Sequence, residues 1–154
     1  MPEPLRAVID STVLVSAFLT EGGVSAELLR FARAGVFLVF LSEDILTETE
    51  HTLGYDRIRE RYTYTDDDVA DFLNRLRIAA TLVDQLPELA VVRDPNDDMV
   101  VATAQRAQAA YIVTRDRDLL TLQQYEDITI ITPEAFIAIV REQEASRTEG
   151  NSET

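Results

Sequence analysis

Short apolar runs alternate along this chain with longer segments in which apolar residues recur every three or four positions. A short run bounded by polar residues is typical of a buried strand, and the longer period is typical of a helix that packs on one face. The runs that predict strands are residues 5–9, 37–41, 80–83, 111–113 and 128–131. Strands and helices that alternate in this way predict an α/β domain with a central, mostly parallel sheet and helices on both faces.

Residues at the segment boundaries place the predicted helices. Ser42 and Thr65 can cap helix N-termini, Gly54 can end the helix that Ser42 begins, and Pro133 suits the first position of the last helix. The predicted helices begin near residue 12, cover 25–34, run from 42 to 53, follow residue 65, cover 98–109 and follow residue 132. The two prolines within 85–96 predict a connection. We expect one domain over residues 1–143 and a polar, disordered tail over residues 144–154.

The composition is that of an ordinary globular protein. With 154 residues, of which 46% are hydrophobic and 27% charged, the chain can bury one core. No apolar run approaches the roughly 20 residues that span a bilayer. The N-terminal residues lack the basic patch and long apolar core of a secretory signal, so we expect a cytoplasmic protein.

Missing residue types exclude several kinds of chemistry. There is no cysteine, which excludes thiolate catalysis and cysteine zinc sites, and His51 is the single histidine. All 14 basic residues are arginine, so the lysine that Walker-type nucleotide hydrolases and aspartyl phosphatases use is missing. The net charge of −14 argues against a broad basic surface for nucleic acid. An acidic chain that binds RNA needs divalent cations, local arginines or both.

Acidic residues follow the predicted strands, at the edge where parallel sheets bind their ligands. Asp10 directly follows the first strand, and Asp116 and Asp118 come shortly after the fourth. Glu48 lies in the helix after the second strand, and Asp98 begins a later helix. Like charges that meet at one edge need a cation to offset their repulsion, and Mg²⁺ or Mn²⁺ prefers such oxygen ligands.

These acids also have structural alternatives. Asp97 or Asp98 can cap a helix, and the two acids after the fourth strand can be turn residues. On a helical wheel Glu48 and Glu50 flank opposite edges of one apolar stripe, so periodicity does not choose between them. Asp10 is the strongest candidate, because an acid directly after a buried run seldom serves packing.

Several arginines are candidates for phosphate binding. Arg115 and Arg117 lie next to the acids that follow the fourth strand. Arg57, Arg59 and Arg61 are spaced so that they could form a basic edge, but the spacing favours slightly a helix surface paired with Glu60 and neighbouring acids. The sequence leaves both interpretations of the second group open.

Four stretches of the chain, taken in order, resemble the PIN-domain family. They are AVIDSTVLVSA from Ala7, LSEDILTETEHTL from Leu41, DPNDDMVVATA from Asp94 and YIVTRDRDLL from Tyr111. The resemblance covers about residues 6–140 and is to the VapC-like toxins of bacterial toxin–antitoxin pairs. It implies a Rossmann-like fold and a Mg²⁺-dependent endoribonuclease whose motif acids are Asp10, Glu48, Asp98 and Asp116, with Asp118 as a further metal ligand.

The resemblance also implies a reaction and its partners. A metal-activated water would hydrolyse phosphodiester bonds of single-stranded RNA, and the residues in contact with the substrate would be Ser11, Thr114, Arg115 and Arg117. A cognate antitoxin and a second copy of the chain would be its protein partners. The family usually has Thr-Asn after the first aspartate, where this chain has Ser11-Thr12, whose hydroxyl can still bind an aspartate or a water. The alternative function is a non-catalytic PIN-like interaction module, although all four motif acids are present.

Overall fold

The computed structural model describes residues 3–152 of the chain, with side chains to residue 148. Its strands are β1 (Arg6–Ile9), β2 (Leu38–Leu41), β3 (Thr81–Leu82), β4 (Tyr111–Val113), β5 (Gln124–Tyr125) and β6 (Ile128–Ile131). Its helices are α1 (Ser11–Leu19), α2 (Val24–Arg33), α3 (Glu43–Leu53), α4 (Asp56–Arg59), α5 (Asp66–Ala79), α6 (Pro95–Ala107), α7 (Arg117–Leu122) and α8 (Pro133–Ser152).

The six strands form one sheet in the order β3-β2-β1-β4-β6-β5. Neighbouring strands are parallel, except that β5 pairs antiparallel with β6. The register aligns Ile9 with Val113 and Val113 with Ile131, so β1, β4 and β6 end at the same edge. The predicted α/β fold with a mostly parallel sheet is confirmed.

The central strands are covered on both faces. Ala7, Val8 and Ile9 in β1, and Ile112 and Val113 in β4, have no exposed surface. Strands of a parallel sheet that are covered in this way consist of continuous apolar residues rather than alternating ones. This is why short apolar runs locate these strands in the sequence.

The helices form two layers around the sheet. Crossovers between parallel strands are right-handed, so the connections outward from β1 to β2 and β3 lie on one face, and the return through α6 lies on the other. The contacts agree, because α1 packs on α2 and α3, whereas α6 packs on β1, β2 and β4. In the described part of the chain no single helix is long and apolar enough to cross a membrane; α1 and α2 reach that length and composition only together, bent by 100°.

Most predicted elements are present, with shifted boundaries. Ser42 and Thr65 cap α3 and α5 as expected. Helix α6 begins at Pro95, three residues earlier than predicted, because Asp94 is its N-cap and the proline occupies its first position. The sequence did not predict α4, α7 and β5, which have four, six and two residues and are too short for a periodic pattern.

The C-terminal segment differs from its prediction. Helix α8 continues to Ser152, whereas the sequence predicted a disordered tail over 144–154; residues 153 and 154 lie outside the described residues. Local side-chain contacts support the extra turns. Arg147 pairs with Glu144 at 3.1 Å, and the Thr148 hydroxyl donates to the Glu144 carbonyl.

Candidate metal centre

We call the region beyond the carboxyl ends of β1 and β4 the crevice; these are the two adjacent strands whose connections lead in opposite directions. The chain after β1 leads toward β2, and the chain after β4 leads toward β6 on the other side. Open α/β sheets bind their ligands at such a switch point. Asp10 directly follows β1 and Thr114 directly follows β4, so both lie at the base of the crevice.

Asp10 is buried beneath the crevice and held by several donors. Its carboxyl group is only 2% exposed. Oδ1 accepts hydrogen bonds from the Thr12 hydroxyl at 2.6 Å and from the Val13 backbone N–H at 3.3 Å. Oδ2 accepts a hydrogen bond from the Thr114 hydroxyl. Asp10 is therefore both the N-cap of α1 and the acceptor that joins β1 to β4.

The same two hydroxyls bind the backbone that follows β4. The Thr12 hydroxyl accepts a hydrogen bond from the Arg115 N–H at 3.1 Å, and the Thr114 hydroxyl accepts one from the Asp116 N–H at 2.9 Å. The family usually has Thr-Asn after the first aspartate, and this chain has Ser11-Thr12. Of these two residues, Thr12 supplies the hydroxyl that binds Asp10. The loop that carries Asp116 is positioned by its bonds to the residues around Asp10.

Burial raises the pKa of Asp10 to about 6. The hydrogen bonds from Thr114, Thr12 and Val13 lower it, and the charge of Asp116 raises it slightly. Desolvation is the largest cause, because a buried carboxylate loses water that its donors replace only in part. The raised pKa also shows that Asp116 is near enough to Asp10 to influence its charge.

Three carboxylates converge above Asp10. Oxygens of Asp97, Asp116 and Asp118 all lie within 4.8 Å of one another. Asp116 caps α7 and accepts hydrogen bonds from the N–H groups of Asp118 and Leu119, at 2.8 and 3.3 Å. Its role as a cap therefore coexists with a place in the acidic group. We call Asp97, Asp116 and Asp118 the acid triad.

Asp97 is the acid of this triad with the strongest electrostatic perturbation. It is 8% exposed, and its pKa is raised to about 7. Burial is the largest cause, followed by repulsion from Asp116, Asp94 and Asp118. A carboxyl group that resists ionisation next to other carboxylates is typical of a site that a cation neutralises.

Asp98 does not join the acid triad, contrary to its prediction as a site residue. Its Oδ1 accepts hydrogen bonds from the backbone N–H groups of Val91 and Val92, at 2.8 and 2.6 Å. Neighbouring residues on a helix point about 100° apart, so only one of two adjacent acids can face the crevice. The neighbour Asp97 takes that position, and neither acid is the cap, because Asp94 caps α6.

Glu48 lies at the border of the triad. It is half-buried, and burial raises its pKa together with the charges of Asp94 and Asp116. The Ser11 hydroxyl is close enough to lower that pKa. Glu50 is exposed on the other side of α3. The structure thus places Glu48 beside the other acids, which the helical wheel alone did not decide.

The residues expected to contact a substrate have different surroundings. Thr114, predicted to contact the substrate, is fully buried and is bonded to Asp10 and to the Asp116 N–H. Ser11 is also buried and faces Glu48. Arg115 forms a bidentate pair with Glu134 on α8, at 2.8 and 3.3 Å. Arg117 is exposed at the first position of α7, next to Asp116.

Arg57 and Arg59, two of the three arginines that could form a basic edge, have different contacts in the structure. Arg59 pairs with Asp66 and lies over the Tyr64 ring, as the helix-surface interpretation expects. Arg57 is exposed, and its guanidinium lies 5.5 Å from the centre of the Tyr55 ring. His51 is exposed on α3.

The donor set of the triad suits a hard divalent cation. Every candidate ligand is a carboxylate oxygen, the donor that Mg²⁺ and Mn²⁺ prefer. Burial, and after it repulsion from the neighbouring acids, raises the pKa of Asp97, and a bound cation would offset both effects. Asp97 was missed as the leading candidate, but the Asp94-Pro95 pair marks the helix start that places position 97 in its first turn.

Thr114→Val is expected to destabilise the protein, because Asp10 and the Asp116 N–H both lose a buried partner. Leaving buried groups without a partner costs about 1–3 kcal/mol. For a domain of this size that lowers the melting temperature by about 2–4 °C per kcal/mol. Thermal unfolding followed by circular dichroism measures the change, with Thr114→Ser as the control that keeps the hydroxyl. Equal melting temperatures for Thr114→Val and wild type would show that this bridge contributes nothing.

Comparison with known proteins identifies the family of this Rossmann-like domain. The PIN domain family model matches residues 6–118, which include Asp10, Glu48 and the whole acid triad. The chain therefore belongs to the PIN domain family, whose members are generally nucleases. A curated relative, the uncharacterized protein MJ1680 of Methanocaldococcus jannaschii, is 24% identical over 141 residues, which cover 86% of this chain and 90% of the relative.

Two solved structures share the fold. PAE2754 from Pyrobaculum aerophilum superposes with a TM-score of 0.63 at 13% identity and covers 90% of both chains. VapBC2 from Rickettsia felis, bound to a DNA fragment from its promoter, superposes with a TM-score of 0.53 at 10% identity, over 82% of this chain and 97% of that one. At these identities the likeness concerns the fold.

Proposed function

We propose that this protein is a Mg²⁺- or Mn²⁺-dependent endoribonuclease that hydrolyses single-stranded RNA, and the toxin of a toxin–antitoxin pair. The observation that carries the proposal is the convergence of Asp97, Asp116 and Asp118 in the crevice above Asp10. Membership of the PIN domain family supports nuclease activity. The resemblance to VapC-like toxins implies an antitoxin partner, a homodimer and a cytoplasmic location. The VapBC2 complex, which shares the fold, supports the first of these, the antitoxin partner.

In this proposal the acid triad holds the metal ion. A bound Mg²⁺ would lower the pKa of a water molecule and offset the charge of the phosphate. Asp10 lies beneath the triad and positions Asp116 through the Thr114 hydroxyl. Glu48 is at the border of the triad rather than in it, where it can accept a proton from the attacking water.

The two arginines near the triad differ in how readily they can contact a phosphate. Arg117 is exposed next to Asp116 and can contact a phosphate. Arg115 is paired with Glu134 and must leave that partner to do the same. Because the chain carries a net charge of −14, its affinity for RNA depends strongly on the metal.

Glu48→Gln is expected to lower the rate of RNA cleavage by about a hundredfold, the lower range for loss of a group that transfers a proton. Glu50→Gln is the matched control on the same helix, and we expect it to cleave at the wild-type rate. The assay follows a fluorescent single-stranded RNA with purified protein in Mn²⁺, in Mg²⁺ and in EDTA. Single-stranded DNA and duplex RNA test the substrate class. Purified protein that cleaves none of these in either metal would refute nuclease activity and favour a non-catalytic interaction module.

A further inference from the structure

A groove lies between α3 and the start of α6, and Glu48 is part of its lining. Its volume is about 470 Å³, within the usual range of small-molecule pockets, and its lining includes Asp44, Glu48, His51, Tyr55, Asn96 and Met99. We propose that this groove binds one nucleobase of the RNA, which stacks on Tyr55. The proposal rests on the proposed ribonuclease function and adds to it a site for a base next to the cleaved bond. We call it the α3–α6 groove.

The lining favours a flat, uncharged ligand. Tyr55 and His51 supply aromatic surface, Met99 supplies a polarisable thioether, and Asn96 supplies an amide that can bond to the edge of a base. Asp44 and Glu48 line the same groove and would repel a phosphate there. A base has the π-face and the polar edge that this set of side chains fits.

Tyr55 has the exposure that stacking requires. Its side chain is 41% exposed at the start of α4. The His51 ring lies 5.3 Å from it, centre to centre, but tilted by 58°, so the two rings do not cover each other by stacking. The Arg57 guanidinium lies over the Tyr55 ring, 5.5 Å from its centre, so a base would stack on the opposite face of the ring. The same guanidinium would supply a positive charge for the phosphate of that nucleotide.

Met99 gives the groove a fixed wall. Its sulfur lies 3.8 Å from the Ser42 hydroxyl and 3.9 Å from the Thr103 hydroxyl, and these two hydroxyls are bonded to each other at 2.9 Å. A thioether held in this way cannot move freely out of the path of a ligand. The groove therefore has a rigid side at α6 and an exposed aromatic side at Tyr55.

The groove is continuous with the acidic crevice. Glu48 lines the groove and is also close enough to Asp116 for their charges to interact. Asn96, on the opposite wall, directly precedes Asp97. A nucleotide whose base occupies the groove would therefore have its backbone next to the acid triad. This continuity separates the α3–α6 groove from the larger groove near Tyr62, which lies against α1, α2 and α5.

Tyr55→Ala is expected to raise the KM for RNA cleavage and to change kcat little, because the stacked base binds equally in the substrate and in the transition state. Loss of a base stacked on an aromatic ring lowers affinity about 5- to 150-fold. Tyr55→Phe, which keeps the ring, should restore the wild-type KM. Tyr62→Ala is the matched control, because Tyr62 is 38% exposed but lines the other groove.

Binding measured separately from cleavage distinguishes this proposal from the proposed function. All variants are made in the otherwise wild-type chain, so that the acid triad is intact. Fluorescence anisotropy in Ca²⁺, which also binds carboxylate oxygens, gives the dissociation constants of a 12-nucleotide single-stranded RNA and of an abasic strand of equal length. We expect Tyr55→Ala to weaken binding of the RNA but not of the abasic strand. A Tyr55-dependent affinity in a protein that never cleaves RNA would support the base site and refute the ribonuclease. Equal RNA affinities for Tyr55→Ala and Tyr62→Ala, or no RNA binding at all, would overturn the base site, whether or not the wild type cleaves RNA.

Discussion

Asp97→Asn is expected to reduce metal-dependent RNA cleavage at least a hundredfold, whereas Asp98→Asn should keep most of the wild-type activity. Asp97 belongs to the acid triad, and the removal of a ligand should exceed the 10- to 100-fold loss usual for residues that only support a ligand. Asp98 instead holds Val91 and Val92, and an asparagine oxygen can accept both of those hydrogen bonds. The same substitution at adjacent positions thus separates the two candidates.

The stabilities of these two variants should change in opposite directions. In the metal-free protein Asp97→Asn removes a charge that Asp116, Asp94 and Asp118 repel, so its melting temperature should rise. Asp98→Asn loses a charge-assisted bond, and its melting temperature should fall slightly. Cleavage assays with metal and thermal unfolding in EDTA measure both effects. An active Asp97→Asn together with an inactive Asp98→Asn would show that Asp98, the residue predicted from the sequence, belongs to the site and Asp97 does not.

The metal-free protein is expected to lose stability as the pH rises from about 4 to 7. The pKa values of Asp10 and Asp97 are raised to about 6 and about 7, from the ordinary value of 3.8. The folded state therefore holds more protons than the unfolded state within this window, and the free energy of unfolding falls as the pH rises through it. A tenfold change in an acid dissociation constant corresponds to about 1.4 kcal/mol, so the two carboxyl groups together account for a few kcal/mol.

Urea unfolding in EDTA at a series of pH values measures this slope. Asp97→Asn is the control, because it removes the group with the higher pKa and should flatten the curve between pH 5 and 7. Saturating Mg²⁺ should also flatten it, because the ion competes with protons for the same oxygens. Glu43 and Glu134 have lowered pKa values and add stability that is lost only as the pH falls below about 4.5, so they affect only the acidic end of this window. A metal-free stability that rises steadily from pH 5 to 7 would contradict the assignment.

The elements that the sequence predicted are those whose burial is visible as a pattern. Strands β1, β2 and β4 are short apolar runs because their central residues are covered on both sides. Caps such as Ser42 and Thr65 mark helix starts through side-chain chemistry that depends only on nearby residues. Helix α4 and strand β5 depend on tertiary contacts, since two to four residues carry no period of their own.

The sequence predicted which segments supply the acids of the candidate site, but not always which residue in each segment. Helix α6 is apolar on most sides, so its periodicity could not show which of Asp97 and Asp98 faces the crevice. Glu48 and Glu50 presented the same difficulty, and the resemblance to the family gave the position that the structure places beside Asp116. The burial of Thr114 depends on how β4 lies against β1, which the sequence of either strand alone does not contain.

The hydrogen bonds around Asp10 have a fixed direction. A backbone N–H can only donate, so the Thr12 and Thr114 hydroxyls must use a lone pair for Arg115 and Asp116, and each can then point its hydrogen at Asp10. Both oxygens of Asp10 then accept, and these bonds favour the ionised carboxylate. The backbone amides after β4 thereby orient the two hydroxyls that lower the pKa of Asp10, although burial has the larger effect and the pKa stays raised. The loop that supplies Asp116 and the charge beneath it are assembled as a single unit when β4 pairs with β1.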